Sequence, residues 1–313
     1  MFVVATAAEL KAARQRRREV ALALRPEMSP TGPAPDQLRV ATWNVNSLKA
    51  RTAALRRFLE RAVPDVVLLQ ETKASEVVPV AARLFDELGY HVVHSGAGAY
   101  NGVAIVARHP MSGVVGSADF DDEYLGREPR LIAAVIETPE PIRFASVYVP
   151  HGREIGHWHY DYKLAFLAAL REQVSNWLAE GSLVLGGDVN VAPTDSDIFH
   201  PDAFVGLTHV TEPEREAWTA VLDVGLVDLD ARRWGPRARR FTWWNHGLNY
   251  ARNLGMRIDV LAADPCLAER LVTTWIDHVE RGGERPSDHA ALLADLALTA
   301  TGDSAVPDPV RAG

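Results

Sequence analysis

The chain has a single cysteine among its 313 residues, Cys266, which excludes an intramolecular disulfide and a cysteine-based metal site. Its setting in ADPCLAER reads as that of a small buried group. No apolar run approaches the roughly 20 residues that span a bilayer, and the opening MFVVATAAELKAARQRRR lacks the leader and cleavage site of a secretory signal. The expectation is a cytoplasmic protein without membrane contact. Positive charge is not in excess either: the formal net charge is −8 and the pI about 5.8, which excludes coating nucleic acid through a strongly basic surface. Carboxylates gathered round a cation give the same acidic total, so an enzyme that meets phosphate locally stays open. No short repeat period is present, which argues against a solenoid or propeller.

What the chain does have is a 47% hydrophobic content, enough for one large domain or two small ones. Residues 1–36 differ from the rest: an Ala/Arg-rich helical segment leads into PEMSPTGPAP, which reads as a linker outside the core. Its basic run RQRRR reads as a solvated helix face, with Met28 as an alternative start. The tail 299–313 reads as disordered, leaving 37–298 as the folded domain.

Within that domain, short apolar runs predict strands at 38–45, 65–70, 90–95, 102–108, 130–137, 142–149, 182–188, 257–263, 273–278 and 289–296. Helical spacing predicts helices at 48–62, 75–89, 161–180 and 214–225. Several strands follow one another with no helix between, which favours antiparallel or mixed sheets. The expected fold is α/β, with two sheets face to face and helices outside.

Polar groups break these strands at their ends. TWNVNS carries Asn44 and Asn46, VVLLQETK carries Glu71 and Lys73, SVYVPHG carries Tyr148 and His151, LGGDVNVAP carries Asp188 and Asn190, MRIDV carries Asp259, and PSDHAA carries Asp288 and His289. One such residue would be an ordinary cap or turn. So many together need a cation and one another, because an uncompensated buried carboxylate costs several kcal/mol, on the order of the upper desolvation range. Glu71, Asp188 and Asp288 with the amides of Asn44 and Asn190 form an oxygen-rich set for a hard cation, Mg²⁺ or Mn²⁺. Asp259 can hold His289 in one tautomer. A metal, an oriented histidine and a phenol together suit phosphoryl chemistry.

The motifs TWNVNSLKAR, LLQETK, YVPHG, GGDVNVAPTDSDI, GMRIDV and ERPSDHA, in this order, resemble the exonuclease III family of apurinic/apyrimidinic endonucleases, within the endonuclease/exonuclease/phosphatase superfamily. The likeness runs from Leu38 to Leu296. It implies a four-layer α/β sandwich, cleavage of duplex DNA 5′ to abasic sites, removal of 3′-blocking groups and 3′-to-5′ digestion. It further implies Glu71 as principal metal ligand with Asn44 beside it and Asp288 as the outer carboxylate. Asp188 is implied to orient or deprotonate the attacking water with Asn190 as its partner on the phosphate, His289 held by Asp259 to contact the phosphate, and Tyr148 to sit near the phosphate and leaving group. The block of metal contacts expected is thus Asn44, Glu71, Asp188, Asn190, Asp288 and His289.

The superfamily also holds lipid and small-molecule phosphodiesterases, so the substrate needs other evidence. Trp243 and Trp244 precede Asp259, and an aromatic ring can fill the space of a missing base; Trp243 is expected to face the site and Trp244 to pack. RRWGPRARR supplies five arginines and no acid and can hold a phosphate backbone. Arg130, Lys163, Asn46, Lys73 and His151 complete the expected DNA contacts, His151 standing where the family commonly has Asn or Gln. The competing readings are a same-fold phosphodiesterase on lipid or small-molecule phosphates and a non-catalytic lesion-binding protein. The expected working form is a monomer.

Overall fold

A computed structural model describes residues 8, 11–13, 15, 16, 32–138, 140–245 and 248–298. Residues 8, 11–13, 15 and 16 are helical, as expected of the extension; the rest of that segment up to 31 and the tail from 299 lie outside the described residues.

Two six-stranded sheets form the body. The first runs in the order β11, β12, β1, β2, β4, β3 and the second β5, β6, β7, β8, β10, β9. The strands are β1 Gln37–Asn44, β2 Val66–Gln70, β3 His91–Ser95, β4 Val103–Ala107, β5 Met111–Gly116, β6 Leu131–Ile136, β7 Ile142–Tyr148, β8 Leu183–Asp188, β9 Val227–Asp228, β10 Asp259–Ala263, β11 Leu271–Asp277 and β12 Ala291–Ala297. Each sheet has one parallel pair at its centre, β1 with β2 and β7 with β8, and is otherwise antiparallel. Parallel neighbours need a crossover, and a helix supplies it each time. These are α1, Leu48–Ala62, and α3, Trp158–Glu180.

The inner faces of the sheets pack on each other through Val40, Leu68, Ile105, Ile132, Phe144, Val184 and Leu261. Each such side chain contributes about 1.5–3 kcal/mol when fully buried. Gly186 permits this approach: a Cβ there would stand 2.7 Å from Leu68 of the facing sheet. The outer face of the first sheet is covered by α1 and α2, Pro79–Leu88, around Leu55, Phe58 and Phe85. That of the second is covered by α3 and α4, Glu212–Asp223, around Phe166, Leu170 and Trp218. The result is the expected four-layer sandwich.

The differences from the sequence reading are local. The helix expected from residue 75 begins at Pro79, because proline at the first helical position has no N–H to leave unpaired. Strands β5 and β9 were not expected: β5 is half-exposed and interrupted by a bulge, and β9 has two residues. Short helices α5, Leu229–Trp234, α6, Pro265–Glu269, and α7, His278–Gly282, were missed as too brief to show a period. Cys266, expected to be buried, is exposed at the start of α6.

Candidate active site

The two parallel strand pairs end on the same edge of the sandwich. In register, Asn44 pairs with Gln70 and Tyr148 with Asp188, while Asp259 of β10 pairs with Asp188. The chain then turns sharply: Asn46, Ser47, Glu71, Lys73 and Asn190 all have positive φ. Left-handed backbone at a residue other than glycine costs on the order of 1–3 kcal/mol and persists only where its surroundings hold it. Hydrogen bonds supply that hold: Ser47 N donates to Glu71 O, Thr72 N to Gly102 O and Lys73 N to Asn101 O. The strained turns thus swing the polar side chains to the sheet edge.

There they meet. Asn44 Nδ2 donates to both Glu71 Oε1 at 2.8 Å and Asp188 Oδ2 at 2.9 Å, joining the two sheets. Lys73 Nζ lies 2.7 Å from Glu71 Oε2 and 2.6 Å from Asn46 Oδ1. Asn46 Nδ2 donates to Asp288 Oδ1, and Trp243 Nε1 to Asp288 Oδ2 at 3.2 Å. His289 stands between two carboxylates, with Nδ1 2.8 Å from Asp259 Oδ2 and Nε2 3.6 Å from Asp188 Oδ2. Ser287 Oγ donates to Asn44 O and accepts from His289 N, tying the segment that carries His289 to β1.

The electrostatics follow from burial and crowding. Burial raises Asp188, and the charges of Asp259 and Glu71 add to it, so it titrates at about 7 despite His289 and Asn44. Burial opposes the charge on His289, but Asp259 and Asp188 outweigh it and lift its pKa well above the usual imidazole value. Asp288 is half-buried, and His289, Asn46 and Trp243 outweigh that burial and bring it down to about 2. Burial and then the carboxylates of Glu71 and Asp188 push the Tyr148 phenol well above its ordinary pKa, so it stays protonated and can donate.

Glu71, Asp188 and His289 can each turn a ligand atom to within 4.8 Å of the others. Around that point four carboxylates gather: Glu71 pairs with Lys73, Asp188 and Asp259 share His289, and Asp288 feels the charges of His289 and Arg51. Excess carboxylate charge on oxygen donors fits a hard divalent cation. The residues that fit it best are Glu71 and Asp188. Asn44 and Asn190, expected among the ligands, are oriented otherwise. Asn44 Oδ1 accepts from Asn46 N, which turns the amide nitrogen toward the carboxylates. Asn190 Nδ2 donates to Val149 O while its Oδ1 faces His209. In this structure the Asn44 amide engages two carboxylates and the backbone, and that of Asn190 the backbone and His209. Asp288, with both oxygens taken, stands outside the group of three.

Of the expected DNA contacts, Trp243 is half-buried beside His289 and bonded to Asp288, whereas Trp244 is fully buried, in the register expected. His151 is exposed, its Nδ1 accepting from Arg153 N. Lys163 requires a correction. It is fully buried, with Nζ 2.5 Å from Glu214 Oε1 and 2.6 Å from Asn190 O, and cannot reach a phosphate. Arg130 is also held inward, by Glu128 and by Tyr148, whose ring lies 4.9 Å below its guanidinium. The arginine run is partly spent as well: Arg240 pairs with Asp230, and Arg239 bonds Ile198 O and Phe199 O.

His209 and Glu214 went unnoticed in the sequence. Glu214 had a signal, since Thr211 and Glu214 form a capping box at the start of α4. A lone histidine in a loop has none.

A family model described as the Endonuclease/Exonuclease/phosphatase family matches residues 41–289. Exodeoxyribonuclease III of Haemophilus influenzae is 30% identical, over 83% of this chain and 100% of its own length. The structure of the 3′ phosphatase NExo from Neisseria bound to a product DNA hairpin superimposes with a TM-score of 0.76 at 34% identity, over 83% of this chain and 99% of that one. An AP endonuclease from Archaeoglobus fulgidus gives a TM-score of 0.76 at 35% identity, over 82% and 98%.

Proposed function

This chain belongs to the endonuclease/exonuclease/phosphatase family, and from that membership we propose a metal-dependent DNA repair nuclease that cleaves duplex DNA 5′ to abasic sites. The same site would trim blocked 3′ ends and digest from them. The single observation that carries the reading is the junction at Asn44, where one amide joins Glu71 of the first sheet to Asp188 of the second beside His289.

Glu71 and Asp188 would hold the cation, with Mg²⁺ the preferred ion and Mn²⁺ a substitute. When bound, it neutralises phosphate charge and polarises the scissile phosphate. Asp188, beside both the cation site and His289, suits a base that takes the proton of the attacking water. His289 keeps one N–H on Asp259 and presents Nε2–H to a phosphate oxygen as negative charge develops there. Tyr148 donates to the leaving 3′-oxygen as the bond from phosphorus to that oxygen breaks. Trp243 supplies an apolar wall where the abasic sugar lacks its base.

A phosphodiesterase acting on lipid or small-molecule phosphates could use the same metal and histidine. The similarity to relatives described as DNA enzymes favours DNA. A monomeric form and a cytoplasmic location are further parts of this proposal, to be checked by sedimentation and fractionation. No helix among the described residues is long and apolar enough to cross a membrane. The direct test is incision of a duplex oligonucleotide bearing one tetrahydrofuran abasic analogue, with Mg²⁺ and with EDTA. Metal-dependent cleavage on the 5′ side supports the reading, and turnover of a generic phosphodiester with the abasic duplex left intact refutes it.

A further inference from the structure

His209 occupies a conformation that a loop residue has no reason to keep unless something holds it. Its φ is 82°, in the left-handed region, and its side chain is buried. Both of its backbone polar groups are fixed: the N–H donates to Glu214 Oε1 at 2.9 Å and the carbonyl accepts from Ala192 N at 2.8 Å. Glu214 also accepts from Thr208 Oγ1, Thr211 N, Thr211 Oγ1 and the buried Lys163. The loop is thereby clamped between α3 and α4, and backbone strain so over-determined is a pointer to function.

What the clamp delivers is a ring nitrogen. His209 Nε2 stands 3.1 Å from Asn190 Oδ1. Asn190 is itself left-handed, at φ 50°, with its N–H on Asp188 Oδ1, its carbonyl on Lys163 Nζ and one amide hydrogen on Val149 O. The bond to Val149 O decides which way the amide faces, because the reverse orientation would set two oxygens together. Oδ1 therefore faces the ring, and Nε2 must carry the hydrogen. Among the described residues Val149 O is the one acceptor of the Asn190 amide, so its second hydrogen has no protein partner there. The ring of His209 also meets that of the exposed His151 edge-on, at 4.4 Å between centroids.

We propose that His209 is a positioning residue: as the Nε2–H tautomer it locks the Asn190 amide so that its remaining N–H is presented to the scissile phosphate. This rests on the proposed DNA nuclease and on Asn190 being the phosphate partner that the family resemblance implies. His209 does not itself touch the reacting atoms. Its contribution appears in turnover, with cation binding at Glu71 left alone.

The test compares His209→Ala and His209→Gln, in the wild-type and Asn190→Ala backgrounds, on the tetrahydrofuran duplex and on bis-p-nitrophenyl phosphate. His209→Ala is expected to lower kcat about 10- to 100-fold, the usual cost of losing a group that orients a site residue. Mn²⁺ affinity is expected to stay unchanged, and His209→Gln, which keeps an N–H donor, to recover most of the loss. In Asn190→Ala, removing His209 is expected to do nothing further. Unchanged kcat in His209→Ala overturns the proposal, as do multiplicative losses in the double variant or equal losses in Ala and Gln variants that track a lowered melting temperature. A wild-type protein inert on DNA but active on the small phosphodiester refutes the DNA reading alone, and the same comparison on that phosphodiester still judges His209.

Discussion

His289 Nδ1 lies 2.8 Å from Asp259 Oδ2, and Asp259 is wholly buried. The second oxygen of that carboxylate, Oδ1, has no hydrogen-bond partner among the described residues. A buried carboxylate so poorly satisfied is costly, and what offsets it is the charge on the imidazole. The pair is therefore a device for keeping His289 oriented and protonated at the sheet edge.

Replacing Asp259 by Asn removes that charge while keeping the shape. Turnover on an abasic duplex should fall by roughly 10²- to 10⁴-fold, the range for losing an orienting carboxylate or a positioned acid. The pH at which His289 titrates, followed by its NMR signal, should fall with it. An unshifted titration in Asp259→Asn would contradict the assignment.

Glu71→Gln removes one carboxylate of the proposed cation site and leaves Lys73 without its partner at 2.7 Å. Mn²⁺ affinity measured by calorimetry should drop by at least 10-fold, with the fold intact by circular dichroism. Equal affinity in variant and wild type would place the cation elsewhere.

The raised pKa of Asp188, about 7, gives cation binding a defined pH dependence. Above that value the carboxylate is ionised and available; below it a proton must leave before the metal binds. Apparent Mg²⁺ affinity should therefore weaken about tenfold from pH 8 to pH 6, with protons released on binding in the lower range. Calorimetry in two buffers of different ionisation enthalpy measures both.

The Lys163–Glu214 pair is a matter of stability. Lys163→Met leaves the buried Glu214 without its cation, a loss of about 3–5 kcal/mol, visible in urea unfolding. Adding Glu214→Gln should restore part of it. If Lys163 instead contacted DNA, its replacement would lower the salt dependence of DNA binding; that slope should stay the same.

Most of the fold was legible because the central strands are continuous apolar runs bounded by turn signals, as in DVVLLQ and SLVLGGD. Strand β9 and helices α5 to α7 were not, being too short to show periodicity. The site was legible because Asn44, Glu71, Asp188, Asp259 and His289 each end or begin an apolar strand, where a polar group stands out. Lys163 misled for a physical reason. A lysine at one helical position gives no sign of whether a glutamate 51 residues later folds back to meet it. Arg130 shows the same failure, its partner Glu128 and the face of Tyr148 being visible only in three dimensions. The orientation of the Asn44 and Asn190 amides also lay beyond the sequence, since it is set by backbone groups at Asn46 and Val149.

In the proposed function Glu71 and Asp188, joined by Asn44, form with His289 one metal-dependent site for cutting DNA. The measurement that tests it most directly is single-turnover incision of a duplex carrying one tetrahydrofuran analogue, by the wild type and by Asp188→Asn, with Mg²⁺ and with EDTA. One cut on the 5′ side of the analogue is expected, abolished by EDTA and reduced at least 10³-fold in Asp188→Asn, on the order expected for losing a catalytic base together with a cation contact. Incision that survives EDTA, or that Asp188→Asn performs at the wild-type rate, would contradict it.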